Sequence, residues 1–182
     1  MADDYPRLLG NFQFRISLRK SAQIAAGSNL AANTTLTADG GQAESLGDGG
    51  FQECSGLEIS MDVQEYLEGG RNDGVIQRVG RAKYSNMVLK RGMFYGKDNK
   101  IQQDLWDWLQ SVVSGKRPVR RYDGIVEVLT RRGIKSNEVV ATWVFERGLP
   151  AKISGPQLNA KSGDIAIEEL HIAHEGLRLK AG

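Results

Sequence analysis

Apolar and polar positions alternate one by one in several separate stretches of this chain. In Asn11 to Arg19, Phe12, Phe14, Ile16 and Leu18 are each separated by a polar residue, the period-two pattern of a strand with one buried face. The pattern then stops. Ser21 to Gly50 is rich in Ala, Gly, Ser, Asn and Thr, holds no aromatic residue, and predicts a long flexible loop. Alternation returns with Leu57, Ile59, Met61 and Val63 set against Glu58, Ser60, Asp62 and Gln64. The turn-forming run Glu68 to Gly74 follows. Val75 to Val79 reads as the partner strand of a hairpin, with Gly80 ending it. Tyr84 to Arg91 is a further short strand.

One stretch changes period. Ile101, Leu105, Trp108, Leu109 and Val112 fall at spacings of 4, 3, 1 and 3, which predicts an amphipathic helix over Asn99 to Ser114. Asp98 or Asn99 can cap its start, and Gly115 can end it in a left-handed conformation. Tyr122 to Thr130 and Val139 to Arg147 then form a second hairpin across a polar turn. Asp164 to Leu179 closes the chain, and its apolar parity flips between Glu168 and Glu169, which predicts a bulge there. The expectation is about seven strands and one flanking helix in a single domain over 1–182, with a loop insertion at about 21–50.

Composition narrows the function classes. The 182 residues carry 24 basic and 22 acidic side chains, a net charge of +2, which lacks the concentrated positive excess of a nucleic-acid or membrane binder. The one basic cluster, Lys116 to Tyr122, reads as a solvated or protein-facing loop. No run approaches the ~20 apolar residues of a membrane span, and the start of the chain lacks the apolar core of a secretory signal. With one cysteine the chain is expected to be made in the cytoplasm and to fold without disulfides.

Catalytic chemistry finds few candidates. Two histidines, His171 and His174, and a single Cys54 are too few for a zinc site or a nucleophile–base pair. Three residues apart on a strand, the histidines point to opposite faces unless a bulge between them intervenes. The Gly pairs at 40, 49 and 69 lack the following Lys-Ser/Thr of a phosphate loop. Trp106 and Trp108 read as helix packing. The expectation is no catalytic residue, no cofactor and no metal, hence no enzyme.

Four blocks carry a more specific signal: FQECSGLEISMDVQEYLEGGRND from Phe51, GRAKYSNMVLKRGM from Gly80, LWDWLQSVVSGK from Leu105, and WVFERGLPAKISGPQLNAKSGDIAIEELHIAHEGL from Trp143. In order and spacing they resemble the tail-tube family of contractile phages, which also supplies the inner tubes of contractile injection systems. The resemblance runs from Phe51 to Leu177 and takes in the opening strand as well. It implies two packed antiparallel sheets in a small β-barrel with a flanking helix, assembling into hexameric rings whose strands join around a lumen. Rings would stack into a tube inside a contractile sheath, started by baseplate or tube-initiator proteins and carrying DNA or effector protein as cargo. The subunit alone would not bind membranes.

On that resemblance Leu57 to Tyr66 is expected to line the lumen, with partners near Val75 to Val79 and Ile165 to Ile172, and with Glu58, Ser60, Asp62 and Gln64 on the polar face. Contacts between rings or subunits are expected from Glu65, Tyr66, Glu68, Gly69, Gly70, Asn72, Arg81 and Lys83. The long segment 21–50 departs from the family pattern and points toward a specialised initiator ring as the alternative to the bulk tube subunit. From a different class, a nucleic-acid-binding module would show binding that falls steeply with salt.

Overall fold

The computed structural model describes residues 13–21, 45–46, 50–70, 73–95, 100–131, 137–161 and 163–181. Most of the segment 21–50, Phe12, Asp98, Asn99 and Asn72 therefore lie outside the described residues.

β1 (Phe14–Lys20) keeps its alternation, with Ile16 and Leu18 buried, and pairs antiparallel with β7 (Tyr122–Arg131). On its other side lies β2 (Ser45–Leu46), so the long polar segment contributes a short strand that sets Leu46 opposite Leu18. β7 pairs with the first half of β8 (Asn137–Ser154), and β10 (Gly176–Ala181) pairs with that same half. The second half of β8 pairs with β9 (Ile167–Ala173), β9 with β6 (Met87–Gly92), and β6 with β3 (Phe51–Ser55). Among the described residues β4 (Ile59–Tyr66) and β5 (Ile76–Tyr84) pair only with each other. The result is mainly β, two antiparallel sheets sharing β8, with β4–β5 as a separate ribbon. Among the described residues the sheets stay open and do not close into a barrel.

β8 changes sheets at Arg147 and Gly148. Arg147 sits at φ 56, its backbone N–H donating to the Asp123 carboxylate at 2.7 Å. A Cβ on Gly148 would come within 2.7 Å of the Tyr122 carbonyl oxygen and 2.8 Å of Ile172, so only glycine fits the corner. The strand expected to end at Arg147 instead continues to Ser154, because the corner redirects the backbone without breaking its pairing.

The core lies between the sheets and the helix. Leu18, Met87, Leu89, Leu105, Trp108, Tyr122, Phe145, Leu170 and Ile172 are buried in one cluster. Gly124 leaves the space that the Phe145 ring fills, since a Cβ there would overlap the ring. α1 (Asp104–Val113) lays Leu105 and Trp108 onto this core, and Gly115 ends it at φ +73 as expected. Its start differs from the expected Asn99. Gln103 occupies the N-cap without a side-chain bond, and Asp104 and Asp107 compensate in the first turn, where a negative charge faces the helix dipole. Ile101 belongs to a short bridge with Tyr95 and is half exposed, so the apolar stripe runs one residue too far into extended chain.

Three further expectations are corrected. Gly80 does not end a strand: β5 runs through it to Tyr84, and the register shifts there as a bulge opposite Asp62. The block Tyr84 to Arg91 divides at Ser85–Asn86 between β5 and β6. The closing segment is two strands, β9 and β10, without a bulge at Glu168–Glu169, where the register against β6 is continuous. The apparent parity flip arises because Glu168, 1% exposed, occupies an inward position with Leu170 and Ile172, while Ile165 is 77% exposed.

Candidate assembly surfaces

The β4–β5 hairpin follows from alternating sequence around a glycine-rich turn, where Gly70 adopts φ +89. Its register places Ser60 opposite Lys83, Gln64 opposite Arg78 and Tyr66 opposite Ile76 on one face. The other face carries Ile59 opposite Tyr84, Met61 opposite Ala82 and Val63 opposite Val79. Lys83 Nζ lies 2.8 Å from Asp62 Oδ1, and the Arg78 guanidinium stands 4.1 Å over the Tyr66 ring. At the bulge a Cβ on Gly80 would collide with the Asp62 carbonyl oxygen, so the close approach there requires glycine. Every residue of β4 is exposed, including Ile59, Met61 and Val63, and Val79 is 80% exposed. A lone two-stranded ribbon is marginal in water, and among the described residues this one has an exposed apolar face.

The structure brings part of the expected set together. Ser60, Asp62 and Gln64 share the polar face, and Glu58 precedes β4, accepting a bond from Ser85 Oγ at 3.1 Å. Glu65 and Tyr66 end β4, Glu68, Gly69 and Gly70 form the exposed tip, and Arg81 sits at the bulge. Lys83 is already paired with Asp62 of its own chain. Among the described residues of one subunit, Ile167–Ala173 (β9) pairs with β6 and β8 and not with this hairpin.

Sequence reasoning missed a second surface. In the four-strand order β8–β9–β6–β3, Met87, Leu89, Leu170 and Ile172 face the core, and the opposite face is polar. On that face Lys90 of β6 reaches Glu53 of β3 at 3.0 Å and Glu169 of β9 at 3.9 Å. His171 Nε2 hydrogen-bonds the Glu169 carboxylate, and Lys152 of β8 lies opposite His171. The His171 bond, aided by the nearby charges of His171, Lys90 and Lys152, holds the Glu169 carboxyl below its usual range against partial desolvation. The bond to Glu53 raises the Lys90 ammonium. The clue in sequence was the alternation of Glu53, Lys90, Glu169 and Lys152 with inward apolar residues, which is invisible until the four strands are ordered.

Beneath this sheet a buried ionic network anchors the helix. Arg91 Nε donates to Glu168, and Arg91 Nη2 donates to Asp104 at 2.6 Å. Trp106 Nε1 donates to the other oxygen of Glu168 at 2.9 Å. Trp108 Nε1 bonds the Arg120 carbonyl at 3.0 Å and stacks edge-on against Tyr122. Both tryptophans are thus held by packing and bonds within the chain.

The remaining titratable groups have structural surroundings. His174 follows β9, its Nδ1 3.0 Å from the Gly176 carbonyl and its Nε2 3.0 Å from that of Ser85, with the ring beside Tyr84 and Phe145. Burial holds its pKa below the ordinary imidazole value against the pull of both carbonyls. Burial, with help from Glu53, pushes the Cys54 thiol up to about 11, where thiolate chemistry is suppressed. In the basic cluster Tyr122 is buried and Arg121 is bonded to Glu175 and to the Arg147 carbonyl. Among the described residues no group of His, Cys, Asp and Glu is placed to hold a metal ion.

The family model of the T4-like virus tail tube protein gp19 matches residues 10–178. Three similar solved chains share the fold. One belongs to the cryo-EM structure of the anti-feeding prophage (AFP) baseplate, with TM-score 0.70, 18% identity, and coverage of 97% of this chain and 98% of that one. A second is from the extended sheath–tube complex of the extracellular contractile injection system PVC, with TM-score 0.68, 23% identity, and coverage of 100% and 95%. The third is from the PVC sheath/tube terminator in the extended state, with TM-score 0.67, 22% identity, and coverage of 99% and 100%. No curated protein sequence matches.

Proposed function

The chain belongs to the T4-like virus tail tube protein family, and from that premise we propose that its copies form hexameric rings that stack into a hollow conduit within a contractile sheath. The role is structural rather than enzymatic. Sheath protein, baseplate or tube-initiator proteins, and a cargo of DNA or effector protein are its partners. The subunit is made in the bacterial cytoplasm and works in the assembled particle. No helix among the described residues is long and apolar enough to cross a membrane.

One observation supports this reading: among the described residues the β4–β5 hairpin pairs with no other strand, and it exposes Ile59, Met61, Val63 and Val79 along one face. Exposed ribbon of that kind is stabilised when a neighbouring subunit covers it and its edges gain hydrogen-bond partners. With the apolar face covered, Ser60, Asp62 and Gln64 face the lumen. Glu65, Tyr66, the Glu68–Gly70 tip, Asn72, Arg81 and Lys83 meet the next subunit or ring. Negative-stain electron microscopy of the concentrated protein, alone and with its co-expressed neighbours, tests the reading. Six-fold rings or tubes are expected, and long tubes separate a bulk subunit from an initiator that stops at one or two rings. Monomers under every condition would overturn it.

A further inference from the structure

The polar face of the four-stranded sheet ends in opposite charges at its two open edges. At one edge β3 presents Glu53 and at the other the second half of β8 presents Lys152, both exposed and on the same face. Between them Lys90 and Glu169 continue the alternation. Beyond Gly148 the outer side of β8 carries no strand among the described residues, and neither does the outer side of β3. We propose that the β3 edge of one copy seats against the β8 edge of the next through pairing of Glu53 with Lys152, so that the charged row runs unbroken across each subunit boundary. This rests on the ring reading above and adds to it the contact that sets which edge meets which.

Geometry supports the pairing. All three strand contacts in β8–β9–β6–β3 are antiparallel, so the two edge strands run in opposite directions. A second copy placed head to tail therefore continues the antiparallel alternation without inversion. Following the register across, Glu53 aligns with Lys90, Glu169 and Ser154, whereas Lys152 aligns with His171 and Val88. The two charges are thus offset by two residues, about 7 Å along the strand. That diagonal spacing is within reach of long side chains, and the stagger of a closed sheet adjusts it further. The competing arrangements are penalised. Joining β3 to β3 brings Glu53 to Glu53, and joining β8 to β8 brings Lys152 to Lys152, and like charges facing across strands are unfavourable. The charges select the head-to-tail contact that closes a ring over a two-fold contact that stops at a dimer.

The test is complementation by mixing. Glu53→Lys and Lys152→Glu are purified separately as full chains and checked for native melting. Assembly is followed by sedimentation and negative-stain microscopy against concentration. Each single variant faces like charges at every seam, and its assembly threshold is expected to rise at least about fivefold. In an equimolar mixture one variant brings two positive edges and the other two negative edges. Alternating copies then restore an opposite-charge pair at every seam, which an even-membered ring accommodates, so the threshold returns to that of the wild type. Both substitutions also touch the charged row within the subunit, Glu53→Lys by removing the Lys90 partner and Lys152→Glu by placing a carboxylate near Glu169, so it is recovery on mixing that reports on the seam itself. Single variants that assemble like the wild type, or folded variants that stay apart when mixed, would overturn the seam while leaving the ring intact. A wild-type chain that never associates would overturn ring and seam together.

Discussion

The β4–β5 hairpin and the β6–β9 pair are built from the same kind of alternating sequence and meet opposite fates. In β6 and β9 the apolar positions Met87, Leu89, Leu170 and Ile172 are buried in the core shared by the two sheets and the helix, and the polar positions form an ionic row on the other side. In β4 and β5 the apolar positions Ile59, Met61, Val63 and Val79 remain exposed. A strand pair that covers its apolar face within the subunit stabilises the fold. A pair that leaves it open contributes little to that fold and is shaped for a neighbour.

The contrast can be broken most severely in the body. Phe145→Ala empties a fully buried site, and Glu168→Ala leaves Arg91 charged and buried beside a lost partner. Each is expected to cost about 3–5 kcal/mol in denaturant unfolding. A loss below about 1 kcal/mol in either would mean that the body is less tightly sealed than its burial implies.

His174 lies where the two regions meet, bonded to Ser85 at the root of the hairpin. Because burial holds its pKa below the ordinary value, the unfolded chain takes up the proton first as pH falls below about 6.5. Its contribution is therefore complete above that pH and is lost as pH drops toward the folded pKa. His174→Gln should flatten the fall in stability below about pH 6.5 relative to the wild type. An unchanged slope would remove His174 from the acid response.

Within the hairpin the stability effects shrink while the effects on assembly grow. Val79→Asp is expected to leave the subunit's unfolding free energy within about 0.5 kcal/mol of the wild type, yet to abolish rings in electron micrographs. Intact rings would show that the apolar face is not the covered one. Asp62→Asn removes an exposed pair with Lys83 and should shift stability by no more than about 1 kcal/mol. A larger loss would mean that the hairpin is held by its own charges.

Much of the candidate surface was legible because a hairpin is a local structure. The alternation from Leu57 to Gln64, the glycine turn and the return strand lie close together in sequence, so their pairing needs no knowledge of the rest. Gly80 was misread because a glycine that ends a strand and one that permits a bulge look alike. Only the close approach of the Asp62 carbonyl distinguishes them. Glu168 was misread for a related reason. A carboxylate counts as polar in any pattern, yet its bonds to Arg91 and Trp106 allow it to occupy a core position.

Sequence alone determined that alternating strands dominate, that one helix presents Leu105 and Trp108 as an apolar stripe, that Gly115 ends it, and that the block pattern from Phe51 to Leu177 resembles tail-tube proteins. Tertiary structure decided where β8 turns from one sheet into the other, which strands lie next to β9, and how Glu53, Lys90, Glu169 and Lys152 line up across four strands distant in the chain. The physical reason is range. Periodicity and turn chemistry act over a few neighbouring residues. Strand order and the pairing of remote charges are fixed by burying one shared core, to which every strand contributes only part of the surface.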